Sequence, residues 1–310
     1  MTKIACVIQG NIRPGFAEIL QVIKNGVDLI ILSTWKEEAA KLTAGDYEVI
    51  LNEKPANPGI SNRNMQRVST AAGVKFAKEL GCTHVLKWRT DMLPTKLEIK
   101  DLIRWCEYRV PEDMTSRIVM SAWRNLTVDP DWFSTFPDLF AFGAVEAMQM
   151  LWSDEGMDFT APFNMPEEMP KDCALQIING KIIDSKGNDI TAFYDAHVEL
   201  YAYFRSMLQR QVGNVLNHQI IAKDFLYLID HSRLRICWLS GRKWRPFRSI
   251  GQAYNVPWWT ENIWRDGNPD IAGIGYSKVD WGRWKSFISR VKVEKEMLQQ
   301  FFYYFMRKNA

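Results

Sequence analysis

Arg89-Thr90-Asp91, at the end of the run THVLKWRTD (83–91), sets a guanidinium and a carboxylate two positions apart after an apolar segment. An arginine grips phosphate oxygens in bidentate fashion. An aspartate at a strand end holds a hard cation, such as Mn2+ or Mg2+, which bridges phosphate oxygens. Together they offer two ways to neutralise a diphosphate. Two plainer readings stand beside this: the residues pair with each other, or they form a solvated turn.

A second group lies in SNRNMQRVS (61–69). Asn62, Arg63, Asn64, Gln66 and Arg67 crowd what reads as the first turn of a helix. Free N–H groups and the helix dipole attract anions there. A capped, solvated helix end uses the same residue types. The third group is IQGNIRPG (8–15), where Gln9, Gly10 and Arg13 sit on a strand-to-helix turn. Two glycines let a ligand approach the backbone, although such turns use glycine routinely. Neither a G-x-G-x-x-G nor a Walker pattern is present, so a dinucleotide or P-loop site has no support.

The fourth group is DAHVELYAYF (195–204), with Asp195, His197 and Glu199 near a helix start. A carboxylate or imidazole so placed could take the proton of an acceptor hydroxyl. Acidic residues in a first turn also answer the helix dipole with no catalytic role. His218 and His231 stand alone. No H-x-x-x-H, mixed Cys/His or G-x-S-x-G pattern occurs, which leaves zinc and hydrolase-triad chemistry without a signal.

The elements that must carry these groups follow from periodicity. IACVIQG, VDLIILSTW, YEVILNE and THVLKWR read as buried strands, and GFAEILQVIKNG and residues 63–80 as helices between them. Near-continuous apolar strands alternating with helices predict a mostly parallel α/β sheet covered on both faces. In such sheets ligands bind beyond the carboxyl ends of the strands, where the polar residues cluster. IVMSAWR (118–124) reads as a fifth strand, and 138–152 as a strand running through Gly143 into a helix. ALQIINGKIID and NDITAF suggest a hairpin around SKGN. HVELYAYFRSMLQRQVG and LNHQIIAKDFLYLIDH read as helices. The character changes near residue 240, after which the chain is basic and Trp-rich.

The 310 residues, 47% apolar and 24% charged, suit a globular protein with a sizeable core. A net charge of +3 does not imply nucleic-acid binding. Five scattered cysteines with no C-x-x-C pair point to a reducing compartment, so a cytoplasmic location is expected. The N-terminus does not read as a signal peptide, and no run reaches the ~18 apolar residues of a membrane span.

The strand IACVIQGNI, the Ser33-Thr34-Trp35 strand end, the helix opening NRNMQRVSTAAGV (62–74) and the strand VLKWRTDM (85–92) together resemble the lipopolysaccharide-synthesis family usually called WavE. Its members look like GT-A-fold glycosyltransferases. The resemblance covers residues 1–150 and the helix holding Glu199; it does not reach beyond about residue 240. It implies a GT-A-like (Rossmann-like), mostly parallel central sheet with helices on both faces; beyond it, the residue pattern of KEMLQQFFYYFMRK suggests a mostly helical C-terminal extension. A nucleotide-sugar half would occupy 1–150, an acceptor-side half 151–240, and a basic extension 241–310.

By that resemblance, KWRTD stands where such enzymes place a metal-binding D-x-D, with Arg89 in the first Asp position. This fits either a one-carboxylate metal site at Asp91 or charge neutralisation by Arg89. Gln9, Gly10 and Arg13 would line the nucleotide pocket, and Asn62, Arg63, Asn64 and Gln66 would orient the donor. Glu199 matches an acceptor-side glutamate, the expected base, with Asp195 in reserve. The implied partners are a nucleotide sugar and a glycan or lipid-linked acceptor. Residues 242–248 and 296–308 could rest on the inner face of an anionic membrane, or the former could cap the core as a helix. Two rival functions remain open: a sugar nucleotidyltransferase, and a non-catalytic scaffold of the same fold that binds a partner or glycan.

Overall fold

A strand with apolar side chains on both faces belongs inside a covered sheet. IACVIQ meets that condition and forms β1 (Ile4–Gln9), every residue of which is buried. The computed structural model describes residues 2–59, 62–94, 98–121, 139–162, 164, 176–178, 181–183, 187, 196–214, 216, 220–229, 236–240 and 243–246. From β1 the chain passes through α1 (Phe16–Ile23), β2 (Leu29–Trp35), a 3-10 turn (Lys36–Lys41), β3 (Glu48–Asn52), α2 (Arg63–Glu79) and β4 (His84–Arg89). β5 (Met92–Pro94), α3 (Ile99–Cys106), β6 (Ile118–Ser121), β7 (Ala141–Ala144) and α4 (Val145–Leu151) follow. Next come β8 (Gln176–Ile178), β9 (Lys181–Ile183), α5 (Ala196–Val212), a π-helical turn (Ile221–Phe225), β10 (Leu226–Ile229), β11 (Ile236–Ser240) and β12 (Lys243–Pro246).

Among the described residues the main sheet has seven strands in the order β10-β6-β7-β4-β1-β2-β3. β4, β1, β2 and β3 are parallel. β7 is antiparallel to both of its neighbours, and β10 is parallel to β6. Alternation splits β1 between two cores. Ala5 and Val7 face α2, α4 and α5, whereas Ile4, Cys6 and Ile8 face α1 and α3. Each fully buried Ile or Leu contributes about 1.5–3 kcal/mol, so burial on both faces holds β1, β2 and β4 in place. β3, expected to be buried, lies instead at the edge of the sheet with Glu48, Val49 and Leu51 exposed, because among the described residues no strand covers its outer side. The result is a Rossmann-like α/β scaffold: a mostly parallel sheet flanked by helices.

Because β3 and β4 are parallel, α2 must return the chain from the carboxyl edge to the amino edge. Its N-terminus therefore stands at the carboxyl edge. α2 lies close against β1 because position 73 is glycine: a Cβ there would come within 2.3 Å of Val7 Cγ1. That close packing brings Ser69, one turn earlier, onto Gln9.

Three local expectations need correction. In the segment 216–231, read as a helix, the described residues 221–229 form a π-helical turn and then β10. LYLI is too short an apolar run for periodicity to separate strand from helix, and pairing with β6 decides it. The hairpin expected around SKGN falls on residues 184–193, of which only 187 is among the described residues; an earlier pairing is seen instead. Ile178 pairs with Lys181, so the two-residue Asn179-Gly180 link joins β8 to β9, and Asn-Gly is the stronger hairpin signal. Lys243–Pro246, expected within a helical extension or cap, is strand β12, paired across residue 240 with β11. Residues 242 and 247–310, including 296–308, lie outside the described residues.

Candidate functional site at the carboxyl edge of the sheet

β1 and β4 end in register, while β2 and β3 run two residues further. Gln9 sits opposite Ser33 on one side and Arg89 on the other, and Trp35 sits opposite Asn52. The chain leaves β1 toward β2 and returns on its other side as β4, so β1 and β4 flank a switch point where an open α/β sheet forms a ligand crevice. Backbone bonds tie these ends together: Gly10 N–H donates to Ser33 O at 3.2 Å, and Thr90 N–H donates to Gln9 O at 3.3 Å. Gly10 has φ +112°, which disfavours a side chain, and a Cβ there would meet Thr90 Oγ1 at 3.2 Å. Glycine at position 10 thus leaves room for Thr90.

β4 ends at Arg89, and the chain turns through Thr90 and Asp91 into β5. Pro94 closes β5, an edge strand, where a missing N–H is tolerated. Arg89 Nε donates to Asp91 Oδ1 and Arg89 Nη2 donates to Oδ2, each at 2.9 Å. The side chains are 20% and 19% exposed, so this is a half-buried fork rather than a solvated turn. Burial alone would raise the Asp91 carboxyl. The hydrogen bonds and charge of Arg89, joined by the charge of Arg13, hold it below the ordinary aspartate value instead. Arg13 is exposed, yet its influence on Asp91 puts it at this corner.

A third element closes on the pair. The Trp238 ring lies 5.1 Å from Arg89 Cζ. Trp238 is on β11, opposite Met92 of β5, and the N–H of the next residue, Leu239, donates to Asp91 O at 3.0 Å. Nothing local in the sequence marks Trp238 among the 13 tryptophans.

The start of α2 divides into two roles. Asn62 is exposed at the N-cap in the left-handed region, φ 60°, and makes no side-chain cap bond. Asn64 is buried, and its Nδ2 donates to Asn57 O at 2.9 Å and Ala161 O at 3.0 Å. Arg67 Nη1 donates to Leu151 O at 3.3 Å, at the C-terminal end of α4, and to Ser153 O at 2.8 Å, just beyond it. Asn64 and Arg67 therefore bind loops to the helix. Arg63 is buried beside Gly59. Ser69, which residue types did not single out, has its Oγ 3.1 Å from Gln9 Oε1 and ties α2 to the tip of β1. Among the described residues, Thr34 Oγ1, Trp35 Nε1 and Gln66 Oε1 are buried with no hydrogen-bond partner. Buried polar atoms without partners are uncommon, and these belong to the β2 end and the α2 start.

Gln9, Gly10, Arg13, Arg89 and Asp91 thus come together, with the α2 start joined to them through Ser69. Glu199 falls in the first turn of α5, whose Leu200, Phe204 and Leu208 enter the core shared with α2 and α4. Asp195 lies outside the described residues.

A divalent cation such as Mg2+ wants roughly six hard oxygens. Asp91 offers one carboxylate, and both of its oxygens already accept from Arg89. Among the described residues no group of three His, Cys, Asp or Glu could hold a metal ion. These side chains do not build a cation site by themselves. Among the same residues no helix is long and apolar enough to cross a membrane.

No family model matches this chain, and no curated protein compared with it matches either.

Proposed function

We propose that the chain is a glycosyltransferase of GT-A-like fold that moves a sugar from a nucleotide-sugar donor to a glycan or lipid-linked acceptor. The observation that carries this reading is the gathering of Arg89, Asp91 and Arg13 beside Gln9 and Gly10, at the switch point of a parallel sheet. A corner that brings two arginines together suits a diphosphate.

In this reading the acceptor hydroxyl attacks the anomeric carbon. The bond from that carbon to the diphosphate oxygen breaks, and its electron pair leaves with the nucleoside diphosphate. Arg89 and Arg13 meet the charge that develops there, and Asp91 orients Arg89. Glu199 takes the hydroxyl proton in an inverting displacement. Positive side chains do the neutralising, so the reaction needs neither Mn2+ nor Mg2+. Contact with an anionic membrane through 242–248 and 296–308 would bring a lipid-linked acceptor within reach.

Calorimetry and thermal unfolding with a panel of nucleoside diphosphates and nucleotide sugars test the reading, with Mn2+ and with a chelator. A ligand at a hundred times its dissociation constant stabilises by about 2.7 kcal/mol. Equal binding under both conditions is expected. Absence of diphosphate binding under either would sink the reading, and binding only with Mn2+ would overturn its metal-free form.

A further inference from the structure

Arg89 is the central cation of this corner, and the rigidity of its guanidinium governs how it meets a ligand. Arginine has a long stem with many rotamers, and a binding site gains when that freedom is removed beforehand. Two groups restrain it here. Asp91 takes Nε and Nη2 through two bonds of 2.9 Å, and the half-buried Trp238 ring stands 5.1 Å from Cζ. The ring is itself fixed by backbone on both sides. Trp238 is in register with Met92, and Leu239 N–H bonds to the carbonyl of Asp91. The carboxylate that grips Arg89 and the ring beside it therefore belong to one hydrogen-bonded strip of antiparallel sheet, β5 with β11, and β12 extends that strip on its far side.

We propose that Trp238 is a positioning residue for anion binding. It holds the Arg89 guanidinium against Asp91 so that a diphosphate meets a preorganised cation, which makes the hairpin of β11 and β12 a working part of the diphosphate site. The inference rests on the diphosphate reading above. Trp238 acts through Arg89 rather than on the ligand, and this gives it a signature that a purely structural tryptophan lacks.

The test uses the full chain and its Trp238→Ala, Trp238→Phe, Arg89→Ala and doubly substituted Trp238→Ala/Arg89→Ala variants. The probes are ADP, GDP, CDP and UDP with their parent nucleosides, measured by calorimetry. Trp238→Ala is expected to weaken diphosphate binding by roughly 3- to 30-fold, the range of a cation–π contact, and to leave nucleoside binding unchanged. Trp238→Phe keeps an aromatic face and most of the affinity. In the Arg89→Ala background, Trp238→Ala adds no further loss.

Wild-type diphosphate affinity in Trp238→Ala would overturn the inference. So would equal losses for nucleoside and diphosphate, or losses that add in the double variant. Should Trp238→Ala fail to fold, Trp238→Leu replaces it under the same criteria, since it keeps apolar bulk without a π face. A wild-type chain that binds no diphosphate removes the reading and the inference together. One that binds diphosphate with Trp238 indifferent removes the inference alone.

Discussion

Gln9 and Arg89 face each other across the last rung of the parallel ladder between β1 and β4. Neighbouring strands lie about 4.8 Å apart, so directly paired residues present an amide and a guanidinium side by side on one face of the sheet. One residue further on, Gly10 and Thr90 crowd each other, and the chain turns to deliver Asp91 back to Arg89. The corner is thus assembled by strand register before any side-chain preference acts.

Substitution of Arg89 should separate charge from geometry. Arg89→Lys keeps a cation but loses the planar fork that Asp91 grips. Hydrogen bonds to charged groups contribute about 1.5–3 kcal/mol, so nucleoside diphosphate affinity should fall roughly 10- to 100-fold. Calorimetry on the folded variant reads this directly, and unchanged affinity would remove Arg89 from the site.

Acid should weaken the same corner with a definite sign. The Asp91 carboxyl is held below its ordinary value, so the folded state favours the ionised form. Its contribution to stability is fully present above the unfolded value of about 3.9 and is lost as pH falls through the lower folded value. The gap in unfolding midpoint between wild type and Asp91→Asn should therefore be open at neutral pH and close below about pH 4. A gap that widens in acid contradicts the ion-paired state.

Glu199→Gln should separate chemistry from binding. Removing a positioned base lowers turnover by about 10²–10⁴, and nucleoside diphosphate affinity should stay at the wild-type level. Steady-state rates alongside calorimetry give both numbers. Unchanged turnover would exclude Glu199 as the base.

Gly73→Ala should disturb the site from a distance. The added Cβ would press on Val7 beneath α2, and overpacking of this kind costs about 1–3 kcal/mol. Denaturant unfolding should report that loss. The outward shift of α2 should also lengthen the Ser69–Gln9 contact and weaken diphosphate binding. Stability equal to wild type would show that the helix is not packed as closely as described.

Much of the scaffold was legible before folding. β1, β2, β4, α1 and α2 fall where apolar runs and helical spacing put them, because a strand buried on both faces leaves a continuous apolar signature. The signal failed where runs were short. LYLI has no periodicity of its own, and its partner β6 made it a strand. At the site, Arg89 and Asp91 were recognisable as a chemical pair, but the choice between pairing and both facing a ligand depended on the turn at Thr90. Asn64 read as a donor-orienting residue, yet in the structure its Nδ2 bonds two loop carbonyls.

Two contacts had no local sign at all: Ser69 on Gln9, and Trp238 beside Arg89. By itself the sequence determined which segments had to be buried and that their carboxyl tips would be polar, because burial and alternation act over a few neighbouring residues. Only the tertiary structure decided which tips meet, which carboxylate pairs with Arg89 and which tryptophan stands beside it. Those contacts join residues far apart along the chain, and the register of pairing strands and the closeness of helix packing choose between partners that no local pattern can tell apart.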